Sequence, residues 1–292
     1  MKNYLKILIA ACALLLLAIA YVWNSGKEAR PAIGKAGTVE YGGIVVRYYE
    51  RGTGDTVVLI PSLGRSESDF NELAGTLSAS GFRTVAVELR GVSAGSGLFA
   101  KLTHHDYAND AAAVIRNIGA DGKVHVVGHA FGNRIARTLA SDHPGTVRSL
   151  ILIAAGGYVP IPDDIRKAMY ICFFNFLPDR VRGKYIRKAF FAPGAADIPE
   201  YWVSGWYFRA AWPQSRATLA TPREEWWAGG NAPILVLQGA NDAIAPAENA
   251  DAMKREFGDR VSVVRVPTVG HAMLPERPDL IAKSIVSYLR AH

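Results

Sequence analysis

Cysteine is scarce in this chain. Cys12 and Cys172 are its only two, and Cys12 falls inside an apolar N-terminal run. The pair supplies neither a disulfide framework nor a zinc-ligand spacing, and no metal or other cofactor is expected. Internal repeats and low-complexity tracts are absent, which excludes solenoid and fibrous architectures. Acidic residues are outnumbered, but mildly. The net charge is +7, and removing residues 1–23, which hold Lys2 and Lys6 and no acid, lowers it to +5. No nucleic-acid motif accompanies that excess, so no nucleic-acid partner is expected; a preference for anionic surfaces or ligands is the most it implies. What remains is a chain of 292 residues, 50% of them hydrophobic, enough for one large α/β domain or two small ones with a sizeable core.

The N-terminus is distinctive. Lys2 and Lys6 precede the uncharged run Ile7 to Trp23, "ILIAACALLLLAIAYVW". A basic start followed by an apolar stretch reads as an export signal, and the run sits at the short edge of what spans a bilayer. Ala18-Ile19-Ala20 offers a cleavage site, whereas Tyr21 and Trp23 suit the interfacial anchors of an uncleaved helix. Ile9 to Cys12 has the form of a lipoprotein processing box but leaves too short an apolar core before the cysteine. Residues 1–25 are therefore expected to be a signal peptide or a membrane anchor, and the protein to be membrane-anchored or exported.

Beyond the linker from Asn24 to Gly37, strands and helices alternate. Thr38 to Arg51 reads as a hairpin around Gly42-Gly43. Thr56–Ile60, Arg83–Leu89, Val124–Val127, Val147–Ala155, Pro233–Gly239 and Val261–Pro267 read as strands. The unbroken apolar run Thr56–Ile60 marks burial on both faces. Helical patterns fall at about Ser68–Ser80, Asp106–Ile118, Phe131–Ser141, Pro246–Phe257 and Leu280–Arg290. This alternation predicts a doubly wound, mostly parallel sheet. It breaks between about Tyr158 and Gly230, a helical and aromatic stretch with Trp202, Trp206, Trp212, Trp226 and Trp227. That stretch is too long for a loop and is expected to be a cap over the carboxyl edge of the sheet.

The most telling absence is a single hydroxyl. In "VHVVGHAFGNRIARTLA", Val124 to Ala140, a β-branched run ends in Gly128-His129-Ala130-Phe131-Gly132 and a helix follows. The frame is that of G-x-S-x-G, the sharp strand-to-helix turn that presents a nucleophilic serine, with Ala130 in the serine's position. Two later strand ends carry the remaining parts. Asp242 follows Gly239-Ala240-Asn241, and His271 follows Gly270. An acid and a histidine at successive strand ends can meet above the sheet, the carboxylate orienting the imidazole and stabilising its protonated form.

These motifs, with "LRGVSAGS" from Leu89 to Ser96 and Glu276 and Pro278 after His271, resemble the α/β-hydrolase superfamily in its capped branch, over about Tyr41 to His292. The resemblance implies an α/β-hydrolase fold at 38–292, with the cap inserted at about 157–230. It assigns the family's acid to Asp242, its base to His271, its nucleophile position to Ala130, and its oxyanion donors to the amides of Phe131 and Leu63. The family's frequent His-Gly after the third strand is here Pro61-Ser62-Leu63-Gly64, an altered oxyanion pocket. His129 reads as structural, Ser62 as a turn residue, His104-His105 as a solvated helix start, and Cys172 as buried.

With alanine at this position no acyl-enzyme can form there, and three readings stay open. The His-Asp pair can act as a general-base dyad in a hydrolase or lyase-like enzyme acting on a small apolar carbonyl compound or ester. The chain can be a non-catalytic pseudohydrolase that binds a hydrophobic ligand. Or it can be a serine esterase whose nucleophile was replaced by Ala. In the first half of the cap, Arg166, Lys167, Arg180, Arg182, Lys184, Arg187 and Lys188 outnumber Asp163, Asp164 and Asp179. They suit either an ordinary solvated face or one turned to anionic lipid.

Overall fold

A computed structural model describes residues 2–24, 29–93, 101–120 and 122–292 of the chain. Ala94 to Ser96 of the Leu89 motif, Gly26 of the linker, and the side chains of Lys2 and Trp23 lie outside the described residues. In chain order the elements are α1 (Lys2–Asn24), β1 (Lys35–Tyr41), β2 (Ile44–Arg51), β3 (Thr56–Ile60), α2 (Asn71–Ala79), β4 (Arg83–Val87), α3 (His104–Asn117), β5 (Val124–His129), α4 (Phe131–Asp142) and β6 (Val147–Ile153). There follow α5 (Asp163–Ile171), α6 (Asp179–Phe190), α7 (Glu200–Val203), α8 (Phe208–Ala220), β7 (Ile234–Gly239), α9 (Glu248–Phe257), β8 (Val261–Val266), α10 (Met273–Glu276) and α11 (Pro278–Ala291).

The eight strands form one sheet in the order β1-β2-β4-β3-β5-β6-β7-β8. β1 and β2 pair antiparallel as a hairpin, β2 runs antiparallel to β4, and all other neighbours are parallel. β3, β5 and β7 are buried along their whole length, because helices cover both faces of a parallel sheet. Successive residues of β3 feed opposite layers. Val58 and Ile60 pack with α3, α4 and α9 through Tyr107, Ile135, Leu139 and Met253, while Val57 and Leu59 pack with α2 and α11 through Leu73, Leu77, Ile281 and Ile285.

The chain leaves β3 for β4 on one side and returns to β5 on the other. The strand order therefore reverses at β3 and β5, and the carboxyl ends flanking such a point open a crevice for ligands. The residues immediately beyond these two strands are Pro61-Ser62-Leu63 and Ala130-Phe131.

Helices α5 to α8 lie between β6 and β7 and share a core of their own. Ile165, Cys172, Phe173, Ile186, Phe190, Trp202 and Trp206 pack together and down onto Ile244 and Ala272. Arg65, just past β3, pins this layer to the sheet. It is buried, pairs bidentately with Asp69 at 2.8 and 2.6 Å, donates to the carbonyls of Tyr201 and Ser204, and lies within 4.7 Å of the ring centroids of Trp202 and Trp206. Such a bidentate, aromatic-flanked guanidinium cannot be replaced by lysine without loss.

α1 belongs to none of these cores, although it runs beside α8. Its segment Tyr4–Tyr21 has a mean hydropathy of 2.3 and none of it is buried, so the helix is long and apolar enough to cross a membrane. The chain then docks back on the domain. Arg30 pairs with Glu72, donates to the Ser68 carbonyl and stacks on Tyr201.

Candidate active site

The turn between β5 and α4 is tight. Ala130 adopts φ +50° and ψ −107°, and among the described non-glycine residues only Ala154 and Thr268 also have positive φ. Backbone strain of this kind costs on the order of 1–3 kcal/mol and clusters at functional sites. The flanking glycines allow it. A Cβ on Gly132 would strike the Ile60 carbonyl, and one on Gly128 would lie 2.5 Å from the backbone of Asn133. The turn is fixed by Ala130 N–H donating to the Ile153 carbonyl at 3.0 Å and by Asn133 N–H donating to the Ala130 carbonyl at 3.1 Å.

Asp242 and His271 come together from the ends of β7 and β8. His271 Nδ1 lies 3.0 and 2.9 Å from the two Asp242 oxygens. Oδ1 also accepts the amides of Ile244 at 2.9 Å and Ala245 at 2.7 Å, and Oδ2 accepts Gln238 Nε2 at 3.4 Å. Both residues are buried. A carboxylate only accepts, so Nδ1 carries a proton, and in the neutral ring the lone pair is on Nε2. No hydrogen bond engages Nε2 among the described residues.

The loop that carries His271 is held from below and behind. Glu276 accepts the amides of Gly270 at 2.9 Å and Ala192 at 3.1 Å, and Ala272 N–H donates to the Phe190 carbonyl at 2.7 Å. His129 Nε2 donates to the His271 carbonyl at 3.0 Å, and the two rings lie 5.5 Å apart. Burial, and then the nearby His271, pull His129 down to about 4, so it stays neutral and serves as a fixed donor.

One cavity of about 430 Å³ opens over these groups. Ala130, His271, Ser62, Leu63 and Phe131 line its floor; Tyr158, Ile161, Met169, Phe173, Phe190 and Leu219 supply an apolar wall. The amides of Leu63 and Phe131 donate to no acceptor among the described residues. The volume and the mostly apolar lining are those of a small-molecule site. Arg134 also borders the cavity. The sequence reading missed it, although it lies in the first turn of the helix that follows Ala130, close to the nucleophile position.

Other residues require correction. His104 is not solvated: it is fully buried, edge-on to Phe131 and Trp226, with burial pulling it down to about 3. His105 is half-buried, held between Asp142 at 2.7 Å and Glu225 at 2.8 Å. Arg182 belongs to no surface face; it is buried, donating to the carbonyls of Cys172 and Val203. Cys172 is buried, as expected, and burial pushes its thiol up to about 12. Ser62 lines the cavity, and its carbonyl accepts Arg65 N–H at 3.1 Å in a turn.

The buried histidines give the fold a pH dependence. His104, His125 and His129 are lowered to about 3, 4 and 4, chiefly by burial. The unfolded chain therefore binds more protons between about pH 4 and the ordinary histidine value of about 6.5, and stability rises with pH across that window. Buried Glu67, raised to about 7 by burial and then by Glu88, acts oppositely, losing stability as pH rises from its ordinary 4.5. The histidines outnumber it. Each tenfold change in a group's proton affinity between the folded and unfolded chain is worth about 1.4 kcal/mol, so the unfolding free energy in urea should fall by several kcal/mol from about pH 6.5 to about pH 4.5. His125→Gln should flatten that fall; an equal slope in the variant would contradict the assignment.

Comparison with known proteins agrees with the fold. The sequence profile of the alpha/beta hydrolase family matches residues 57–284. A 2-hydroxy-6-oxo-6-(2'-aminophenyl)hexa-2,4-dienoic acid hydrolase of Metapseudomonas resinovorans is 26% identical over 270 residues, which is 86% of this chain and 89% of the relative. A thermophilic esterase from Thermogutta terrifontis has a similar structure, with a TM-score of 0.72 at 20% identity over 88% of this chain and 99% of its own. A membrane phospholipase A is similar in fold over 100% of this chain and 99% of its own, with a TM-score of 0.71 and 21% identity. The profile runs from β3 into α11, and strands β4 to β8, the tight turn after β5, Asp242 and His271 all fall within it: the chain belongs to the alpha/beta hydrolase family.

Proposed function

We propose that this chain is a hydrolase-fold enzyme without a serine nucleophile, acting on a small, mainly apolar carbonyl compound or ester. His271, oriented by Asp242, is the general base. Its Nε2 takes a proton from a water held over the Ala130 methyl as the oxygen of that water adds to the substrate carbonyl. The negative charge that develops on the carbonyl oxygen is met by the amides of Phe131 and Leu63. The intermediate collapses, and the leaving group takes the proton back from His271. The residues at about 157–230 form the cap that shelters this step, and α1 is the signal peptide or membrane anchor of an extracytoplasmic protein.

The observation that carries this reading is the completeness of the dyad. Asp242 is met by His271, two backbone amides and Gln238, and His271 borders the same cavity as Ala130. A cavity that only bound a hydrophobic ligand would have no use for so fully supported a pair. General-base catalysis supplies roughly 10²- to 10⁴-fold, which suits an activated substrate. Asp242→Asn keeps the shape but lets the amide NH₂ oppose Nδ1–H, which favours the wrong tautomer. Turnover of p-nitrophenyl butyrate should fall at least about a hundredfold, within that range, while ligand affinity holds. Unchanged turnover in Asp242→Asn would sink the dyad.

A further inference from the structure

The cavity wall carries a cation that this reaction does not use. Arg134 borders the cavity from α4, and among the described residues its guanidinium makes no hydrogen bond and no ion pair. Its contact is with the face of Trp226, whose ring centroid lies 4.9 Å from the guanidinium carbon. Each of the other enclosed arginines donates to protein acceptors, although the buried Nε of Arg182 has none. Arg65 and Arg90 hold Asp69 and Asp110 bidentately, Arg137 donates to Asn133 and Gly156, and Arg182 donates to backbone carbonyls. No Asp or Glu lines the cavity; the other lining cation, Arg166, is paired with Asp163 at its rim.

A guanidinium presents a planar fork of donors that matches a carboxylate. Here the fork is partly withdrawn from water without a protein acceptor. The N-terminus of α4 opens into the same cavity through the Phe131 amide, and its dipole favours negative charge there as well. The rest of the wall, including Met169, Phe173, Phe190 and Leu219, is apolar.

We propose that Arg134 is the anion-binding residue of this cavity, and that the physiological ligand is an amphiphile whose carboxylate pairs with Arg134 while its apolar body fills the wall opposite. This rests on the cavity as the ligand site in the function proposed above, and not on the dyad.

Titration calorimetry of the full chain with decanoate and with decanol, equal in apolar length and different in charge, tests it. The unmodified chain should bind decanoate roughly ten- to hundredfold more tightly than decanol, the range of a charge-assisted pair. Arg134→Met keeps the apolar stem and removes the fork; it should bind the two ligands alike, with decanol affinity unchanged. Retained decanol binding shows the cavity intact. If Arg134→Met loses it, Arg134→Lys decides, because a point charge without the fork should reduce the preference. Equal binding of both ligands by the unmodified chain, binding of neither, or an undiminished preference in the variants overturns the proposal. The catalytic reading is tested separately by His271→Ala, which should leave the decanoate preference intact. Loss of the preference in Arg134→Met beside unaltered turnover in His271→Ala would keep this proposal and remove the dyad.

Discussion

Ala130→Ser is expected to turn the chain into a serine esterase that a fluorophosphonate labels at residue 130. The backbone already holds the required conformation, at φ +50° and ψ −107°, and adjacent Gly128 and Gly132 leave the space it needs. The substitution adds one oxygen to a methyl that borders the same cavity as His271. The Nε2 lone pair is available because Asp242 engages Nδ1. Phe131 and Leu63, whose amides are the proposed oxyanion donors, line the same cavity. Loss of a triad serine costs on the order of 10⁶ in rate, which bounds the gain from restoring one. A gain in p-nitrophenyl butyrate hydrolysis of at least about 10³-fold, with a burst of nitrophenol as the acyl-enzyme accumulates, is expected within that bound. A variant that folds, binds ligand and is neither labelled nor faster would show that His271 does not reach position 130. The same variant with His271→Ala should lose the gain.

The parts legible in the sequence are those set by local chemistry. The continuous apolar run of β3 and the glycine-framed turn at Ala130 announce themselves because burial on both faces and close backbone approach each demand a residue type. Asp242 and His271 are visible because each follows a strand end after glycine. Their union also depends on Gly239 and Gly270 packing against each other, where a Cβ on Gly239 would strike the Gly270 carbonyl. What escaped the sequence depends on partners far along the chain. His104 reads as a polar helix start, but Trp226, more than a hundred residues away, covers it. Arg182 reads as one of a basic run, but the carbonyls of Cys172 and Val203 draw it inside. Arg134 reads as an ordinary helix residue; its missing partner becomes visible only when every other enclosed guanidinium has been assigned one.

The second large effect falls on the unaltered alanine chain. With no serine, the whole of the proposed catalysis passes through one imidazole nitrogen. His271→Ala removes that proposed base and leaves the amides of Phe131 and Leu63, the cavity and the strained turn in place. Its backbone neighbours hold the loop independently of the ring, through Glu276 to Gly270 and Phe190 to Ala272. The most direct measurement is therefore paired: turnover of p-nitrophenyl butyrate and calorimetric binding of decanol, by the unmodified chain and by His271→Ala. The account predicts turnover above buffer in the unmodified chain, a loss of roughly 10²- to 10⁴-fold in the variant, and decanol affinities that agree. Equal turnover in the two proteins, or none above buffer in either while decanol still binds, would contradict it and leave a binding protein built on a hydrolase scaffold.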